Sequence, residues 1–132
     1  MKETANARFA ITSWDEKPVG DAQQLPKMTR ASVTKTFSGD IEGEGRVEYV
    51  MTYRPDGSAA FVGLERVTGT IGGKSGSFAL QRTGVFENGQ AKESYEVVEG
   101  SGTGALTGLR GAGASSVGHG MEHPFVLQYE LD

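Results

Sequence analysis

The chain has no cysteine, which removes disulfides, thiol nucleophiles and thiolate metal sites from consideration. No apolar run approaches the ~20 residues that a membrane-spanning helix needs. Met1-Lys2-Glu3-Thr4-Ala5-Asn6 lacks the apolar stretch of a signal peptide. A cytoplasmic protein with no membrane partner is therefore expected. Basic charge is scarce and scattered: 13 Lys and Arg stand against 17 Asp and Glu, for a net charge of −4. No basic run forms, so the electrostatic footprint of a nucleic-acid binder is missing. Proline is sparse, at four residues. Apolar residues nowhere keep a 3.6-residue period long enough for a sizeable helix.

Glycine is abundant, with 20 in 132 residues. A chain of this length forms one domain, residues 1–132, and buries about two-thirds of its unfolded surface. Its core therefore requires no metal or cofactor, and none is expected.

Period-two alternation recurs along the chain and predicts strands. The first covers Thr4 to Asp15, with Phe9, Ile11 and Trp14, and Lys17 to Pro26 follows as a loop. A second runs from Lys27 to Ser38. A third spans Gly43 to Arg54, with Val47, Tyr49, Met51 and Tyr53 on one face. Pro55-Asp56-Gly57 is a strong turn signal, so the fourth strand, Ser58 to Thr70, forms a hairpin with the third. Its nearly continuous apolar character suggests cover on both faces. The fifth, Lys74 to Phe86, sets Phe78, Leu80 and Arg82 together. Asn88-Gly89 turns into the sixth, Ala91 to Glu99. Ala112 to Gly118 and His123 to Leu131 complete eight strands. Between the sixth and seventh lies the glycine-dense stretch Gly100 to Gly113, with one helical turn near Ala105 to Leu109. Glycine at that density lets backbone approach backbone. The fold class is all-β, a single closed eight-stranded antiparallel barrel, because closure removes the exposed edges. A sandwich is the competing architecture.

Most chemical signatures fail for want of context. Gly69-Thr70-Ile71-Gly72-Gly73-Lys74-Ser75 is one residue short of a phosphate loop and precedes a strand rather than a helix, so it reads as a hairpin turn. His119-Gly120-Met121-Glu122-His123 has the letters of an inverted zinc-protease motif, but Gly118, Gly120 and Pro124 oppose the helix that motif needs. It reads as a solvated loop. Glu65 is more informative, because it interrupts an apolar strand where an unpaired carboxylate is costly. Either it pairs with Arg46, Arg66 or Arg82, or it is a lumenal catalytic carboxylate near Tyr49, Tyr53 or Tyr95. Trp14, Tyr49, Tyr53, Arg82, Tyr95 and Arg110 are the candidate ligand-binding residues. Trp14, Tyr49, Phe61, Phe78 and Phe125 equally suit a packed core.

Gly39 to Gly45, Phe61-Val62-Gly63-Leu64-Glu65-Arg66-Val67, Gly73 to Phe78 and the Gly-Ser-Gly-Thr-Gly stretch resemble a bacterial domain-of-unknown-function family, number 3224. More distantly, Gly102-Thr103-Gly104 with Leu109-Arg110-Gly111 looks like a signature of dirigent proteins and allene oxide cyclases. Those are eight-stranded barrels, commonly trimers, whose apolar lumens hold hydrophobic ligands. The resemblance implies a barrel and a homo-oligomer, dimer or trimer, without assigning catalytic residues. The leading expectation is a barrel that binds a small, mainly apolar ligand. The alternatives are a cyclase or isomerase that uses Glu65, and an oligomeric interaction protein with a packed barrel.

Overall fold

The computed structural model describes residues 2–21, 23–118 and 122–131. Eight antiparallel strands pair in chain order and close into a barrel. They are β1 (Lys2–Pro18), β2 (Lys27–Gly39), β3 (Ile41–Tyr53), β4 (Ala59–Ile71), β5 (Lys74–Glu87), β6 (Gln90–Val97), β7 (Arg110–Val117) and β8 (Glu122–Glu130). Closure comes from β1, which pairs with β2 on one side and with β8 on the other. The first strand runs further than its alternation indicates. A register shift between Ile11 and Ser13 keeps it laddered to β2 as far as Pro18 opposite Thr29, and proline is tolerated at such a strand end.

Inward positions alternate with outward ones, as the pleat requires. Val47, Tyr49 and Met51 are buried from β3, and Phe78, Leu80 and Arg82 from β5. On β4 only the inner face is covered within one chain. Val62 and Leu64 point outward and are 52% and 59% exposed, which corrects the expectation of a strand covered on both faces.

The hairpin turns divide the barrel into two ends. The β1–β2, β3–β4 and β5–β6 turns lie at one end, and the β2–β3 and β4–β5 turns at the other. Gly72-Gly73 is the β4–β5 turn, with both residues at positive φ (57° and 83°), so the phosphate-loop lookalike is a hairpin. The connection from β6 to β7 closes this second end. Past the end of β6 it stays laddered to β5: the Thr103 amide donates to the Ser77 carbonyl, and Ser77 N–H donates to Thr103 Oγ1. A single 3-10 turn, Gly104–Leu106, then drops Leu106 and Leu109 into the barrel, where both are buried. Burying each leucine contributes about 1.5–3 kcal/mol. Close approach accounts for glycine here, since a Cβ on Gly76 would sit 2.0 Å from the Thr103 carbonyl oxygen.

The interior holds two apolar clusters. The larger fills the closed end with Ile41, Ile71, Phe78, Leu106, Leu109 and Leu127 among others. The smaller, toward the opposite end, comprises Ala31, Val33, Val47, Tyr49, Met51, Ala59 and Phe61.

Candidate functional site: a mouth above a charged layer

Above the smaller cluster the barrel is hollow. A cavity of about 310 Å³ opens at the end opposite the plug. Its walls are apolar, from Phe9, Ile11, Trp14, Met51, Phe61 and Phe86, and its polar lining includes Lys35, Glu93, Tyr49 and His123. The alternation that fills the closed end leaves this end open because small residues (Ala59, Ala91 and Gly57) line it.

Between the cavity and the packed end lies a layer of four charges from four strands. Arg82 is its centre. Its Nε donates to Glu65 Oε1 at 2.6 Å and its Nη1 to Glu93 Oε1 at 2.7 Å. Lys35 Nζ lies 3.4 Å from Glu65 Oε2, and the Lys35 side chain is 3% exposed. The layer is neutral, two cations against two carboxylates, as buried charges require. Aromatic rings flank it: Lys35 Nζ stands 4.5 Å from the Phe9 centroid, and Arg82 lies over Tyr95 and Phe125.

Burial shifts the groups of this layer in different ways. Desolvation pulls the Lys35 ammonium down to about 8, with the Arg82 charge acting in the same direction and Glu65 and Glu93 opposing. Burial also opposes the charge on Arg82, but Glu65 and Glu93 outweigh it and hold the guanidinium protonated beyond its usual range. Tyr49 is pushed far above the usual phenol range by desolvation. It therefore stays a neutral donor, and its hydroxyl reaches Glu93 Oε2 at 3.4 Å. Tyr49 lies over Gly63, its cross-strand partner, where a Cβ would meet the ring at 2.6 Å.

A second polar group sits at the rim. Glu16 accepts from Trp14 Nε1 at 3.1 Å, from Thr29 Oγ1 at 2.7 Å and from the Tyr53 hydroxyl. Partial burial raises this carboxyl, but the three donors outweigh that effect and leave it below the usual range.

The structure thus gathers some of the sequence candidates and separates others. Trp14, Tyr49 and Tyr53 line the cavity. Glu65 is buried and faces inward, but it lies beneath the cavity, bound to Arg82 and beside Lys35 rather than to Arg46 or Arg66. Arg82 shares that layer. Tyr95 serves the fold. Its hydroxyl passes Gly113, donating to the Val126 carbonyl at 2.6 Å and accepting from the Val126 amide. It thereby occupies Val126's backbone groups beyond the three ladder pairs that join β7 to β8 among the described residues. Arg110 lies at the closed end, exposed and paired with Glu130 at 3.3 Å, and does not join the cavity. Of the histidine-rich motif, His119, Gly120 and Met121 lie outside the described residues. His123 is strand residue rather than loop, and its ring packs on Phe9 at 5.2 Å.

Lys35, Glu93 and Glu16 are the functional candidates that the sequence reading missed. Lys35 had a local signal, since it alternates in phase with inward Val33 and Phe37. Glu93 had the same kind of signal, since it alternates in phase with inward Tyr95 and Val97, and the β5–β6 hairpin sets it opposite Gly84, diagonal to Arg82.

Comparison with known proteins agrees with this architecture. A protein with unknown function from the DUF3224 family of Shewanella oneidensis MR-1, solved by crystallography, superposes with a TM-score of 0.80 at 28% identity, covering 100% of this chain and 99% of that one. No curated protein matches the chain. The family described as "Protein of unknown function (DUF3224)" matches residues 5–129, from the first inward residue of β1 to the last of β8, and the chain belongs to that family.

Proposed function

We propose that the protein binds one small, mainly apolar molecule in the open end of the barrel. The supporting observation is the cavity of about 310 Å³ with aromatic walls and a few convergent polar groups. That volume is at the small end of the ~300–1,000 Å³ typical of ligand sites. The likeness of the glycine connection to dirigent and allene oxide cyclase barrels, whose lumens hold hydrophobic ligands, points the same way. Trp14 is the chain's only tryptophan and lies at the mouth, so its emission reports occupancy directly. Titration with the apolar dye anilinonaphthalene sulfonate is expected to change Trp14 emission saturably, at one dye per chain, and to raise the melting temperature. Unchanged emission together with an unchanged melting temperature overturns the proposal.

An isomerase or cyclase using acid–base chemistry is the second reading. Its support is that a carboxylate (Glu93) and a phenol (Tyr49) meet on the cavity lining. Glu65, two inward positions deeper than Phe61, would act through Arg82 rather than on a ligand. A homo-oligomer draws support from the outward face of β3 and β4. There Val50, cross-strand from Val62, and nearby Leu64 are exposed. Sedimentation velocity tests it, and a monomer at all concentrations overturns it.

A further inference from the structure

Lys35 is the one buried lysine of the chain; Lys2, Lys17, Lys27, Lys74 and Lys92 are all exposed. It is also the one lysine that lines the cavity. We infer that Lys35 is a carbonyl-capturing amine: an apolar aldehyde or ketone that enters the mouth forms an imine with its Nζ. This rests on the cavity being a ligand site and names the chemical class of its ligand.

Four observations support the assignment. The first is access combined with dryness. Lys35 lines a cavity walled by Phe9, Ile11, Trp14 and Phe61, and an amine in such a wall is less hydrated and more nucleophilic. The second is partnering. Arg82 occupies both Glu65 and Glu93 by direct hydrogen bonds, whereas Lys35 holds Glu65 at only 3.4 Å and makes no closer ion pair among the described residues. Lys35 is thus the less tightly held cation of the layer. The third is the surroundings on every neighbouring strand. Phe9 on β1, Tyr49 on β3, Glu65 on β4, Arg82 on β5, Glu93 on β6 and His123 on β8 are the groups around Lys35 and the adjoining cavity. Burial and the Arg82 charge lower the ammonium to about 8, so a useful fraction is free amine near neutral pH. The fourth is charge balance. The ammonium plus the carbonyl compound gives a protonated imine plus one water. The C=O bond is replaced by C=N, the carbonyl oxygen leaves as that water with two protons from nitrogen, and no electrons are transferred. The product keeps one positive charge facing Glu65, so the neutral layer stays neutral.

The Tyr49 hydroxyl, held neutral and pointing to Glu93, is the donor on the cavity lining suited to the departing oxygen.

The test uses naphthaldehyde as probe, naphthalenemethanol as its unreactive congener and cyanoborohydride as trap. Incubation of the full chain with the aldehyde and trap is expected to add the aldehyde's mass less one oxygen, once per chain. Peptide mapping places the adduct on Lys35, formed about tenfold or more faster than on any surface lysine because the cavity holds the carbonyl beside the amine. K35R keeps a cation against Glu65 and takes no adduct, with circular dichroism verifying the fold. If the alcohol perturbs Trp14 emission but the aldehyde is not trapped, or is trapped only on surface lysines, imine capture is overturned and the cavity remains a binding site. If neither compound perturbs Trp14 and no adduct forms, the binding proposal falls together with the capture.

Discussion

The two ends of the barrel are built from the same eight strands and finished in opposite ways. At the closed end Leu106 and Leu109 enter from the glycine connection and join Ile41, Ile71, Phe78 and Leu127 in a filled core. At the open end no connection crosses the mouth among the described residues. Trp14 there is 49% exposed and Ile11 41%. A barrel of eight strands is just wide enough to be filled by side chains or to hold one small ligand. This chain is filled at one end and hollow at the other, with the Lys35–Glu65–Arg82–Glu93 layer between. The difference depends on the connection that plugs one end and on the small residues, Gly57, Ala59 and Ala91, that line the other. Apolar burial is greater where the loop plugs the barrel, and open space is left where it does not.

That contrast is open to measurement, and its largest expected effect is at the plug. Leu106 is fully buried, so Leu106→Ala should destabilise the fold by about 2–5 kcal/mol in urea unfolding. A loss under ~1 kcal/mol would mean that the closed end is less packed than it looks.

The next effect belongs to the charged layer and depends on pH. Lys35 ionises near 8 in the folded chain against 10.5 ordinarily. Between those values the unfolded chain binds more protons than the folded one, so stability rises with pH. Below pH 8 the buried ammonium's penalty is present in full. The stability of wild type minus that of K35M should therefore be flat below pH 8 and rise by roughly 1–3 kcal/mol toward pH 10.5. Tyr49 acts oppositely at still higher pH, but it is common to both proteins and cancels in the difference. A flat difference from pH 7 upward would show that Lys35 is not desolvated.

The smallest effect is expected at the mouth. Trp14→Ala should leave stability within about 0.5 kcal/mol while weakening the dye's elevation of the melting temperature. Equal losses from Trp14→Ala and Leu106→Ala would erase the distinction between the two ends.

Strand-level patterning made the barrel readable from sequence. Turn chemistry at Pro55-Asp56-Gly57, Gly72-Gly73 and Asn88-Gly89 marked hairpins, and period-two alternation placed Val47, Tyr49 and Met51 together on one face, as the structure has them. The candidate site was less legible. Arg110 looked like a ligand anchor because it stands in the glycine stretch, yet it pairs with Glu130 on the outside of the closed end. Tyr95 looked like part of an acid–base set, yet its hydroxyl occupies the backbone groups of Val126. Glu93 escaped notice although β6 alternates strictly and sets it in phase with inward Tyr95 and Val97, because beside the charged Lys92 and Glu96 it reads as one more solvated residue.

By itself the sequence determined what depends on neighbours a few residues apart: where each strand begins, where each hairpin turns, and which side chains share a face. Those properties follow from local sterics, turn geometry and the period of the pleat. It also required that Glu65 find a counter-charge, because the strand around it is apolar. Which counter-charge it found was decided only in three dimensions. The β4–β5 and β5–β6 hairpins set Glu65, Arg82 and Glu93 side by side, and the curl of the closed sheet carries Lys35 on β2 across Gly45 on β3 to Glu65, although 58 positions separate Lys35 from Glu93. The same closure, with a plug at one end only, leaves the cavity. A void depends on how side-chain volumes add up around the whole ring, and no single stretch of the chain encodes that sum.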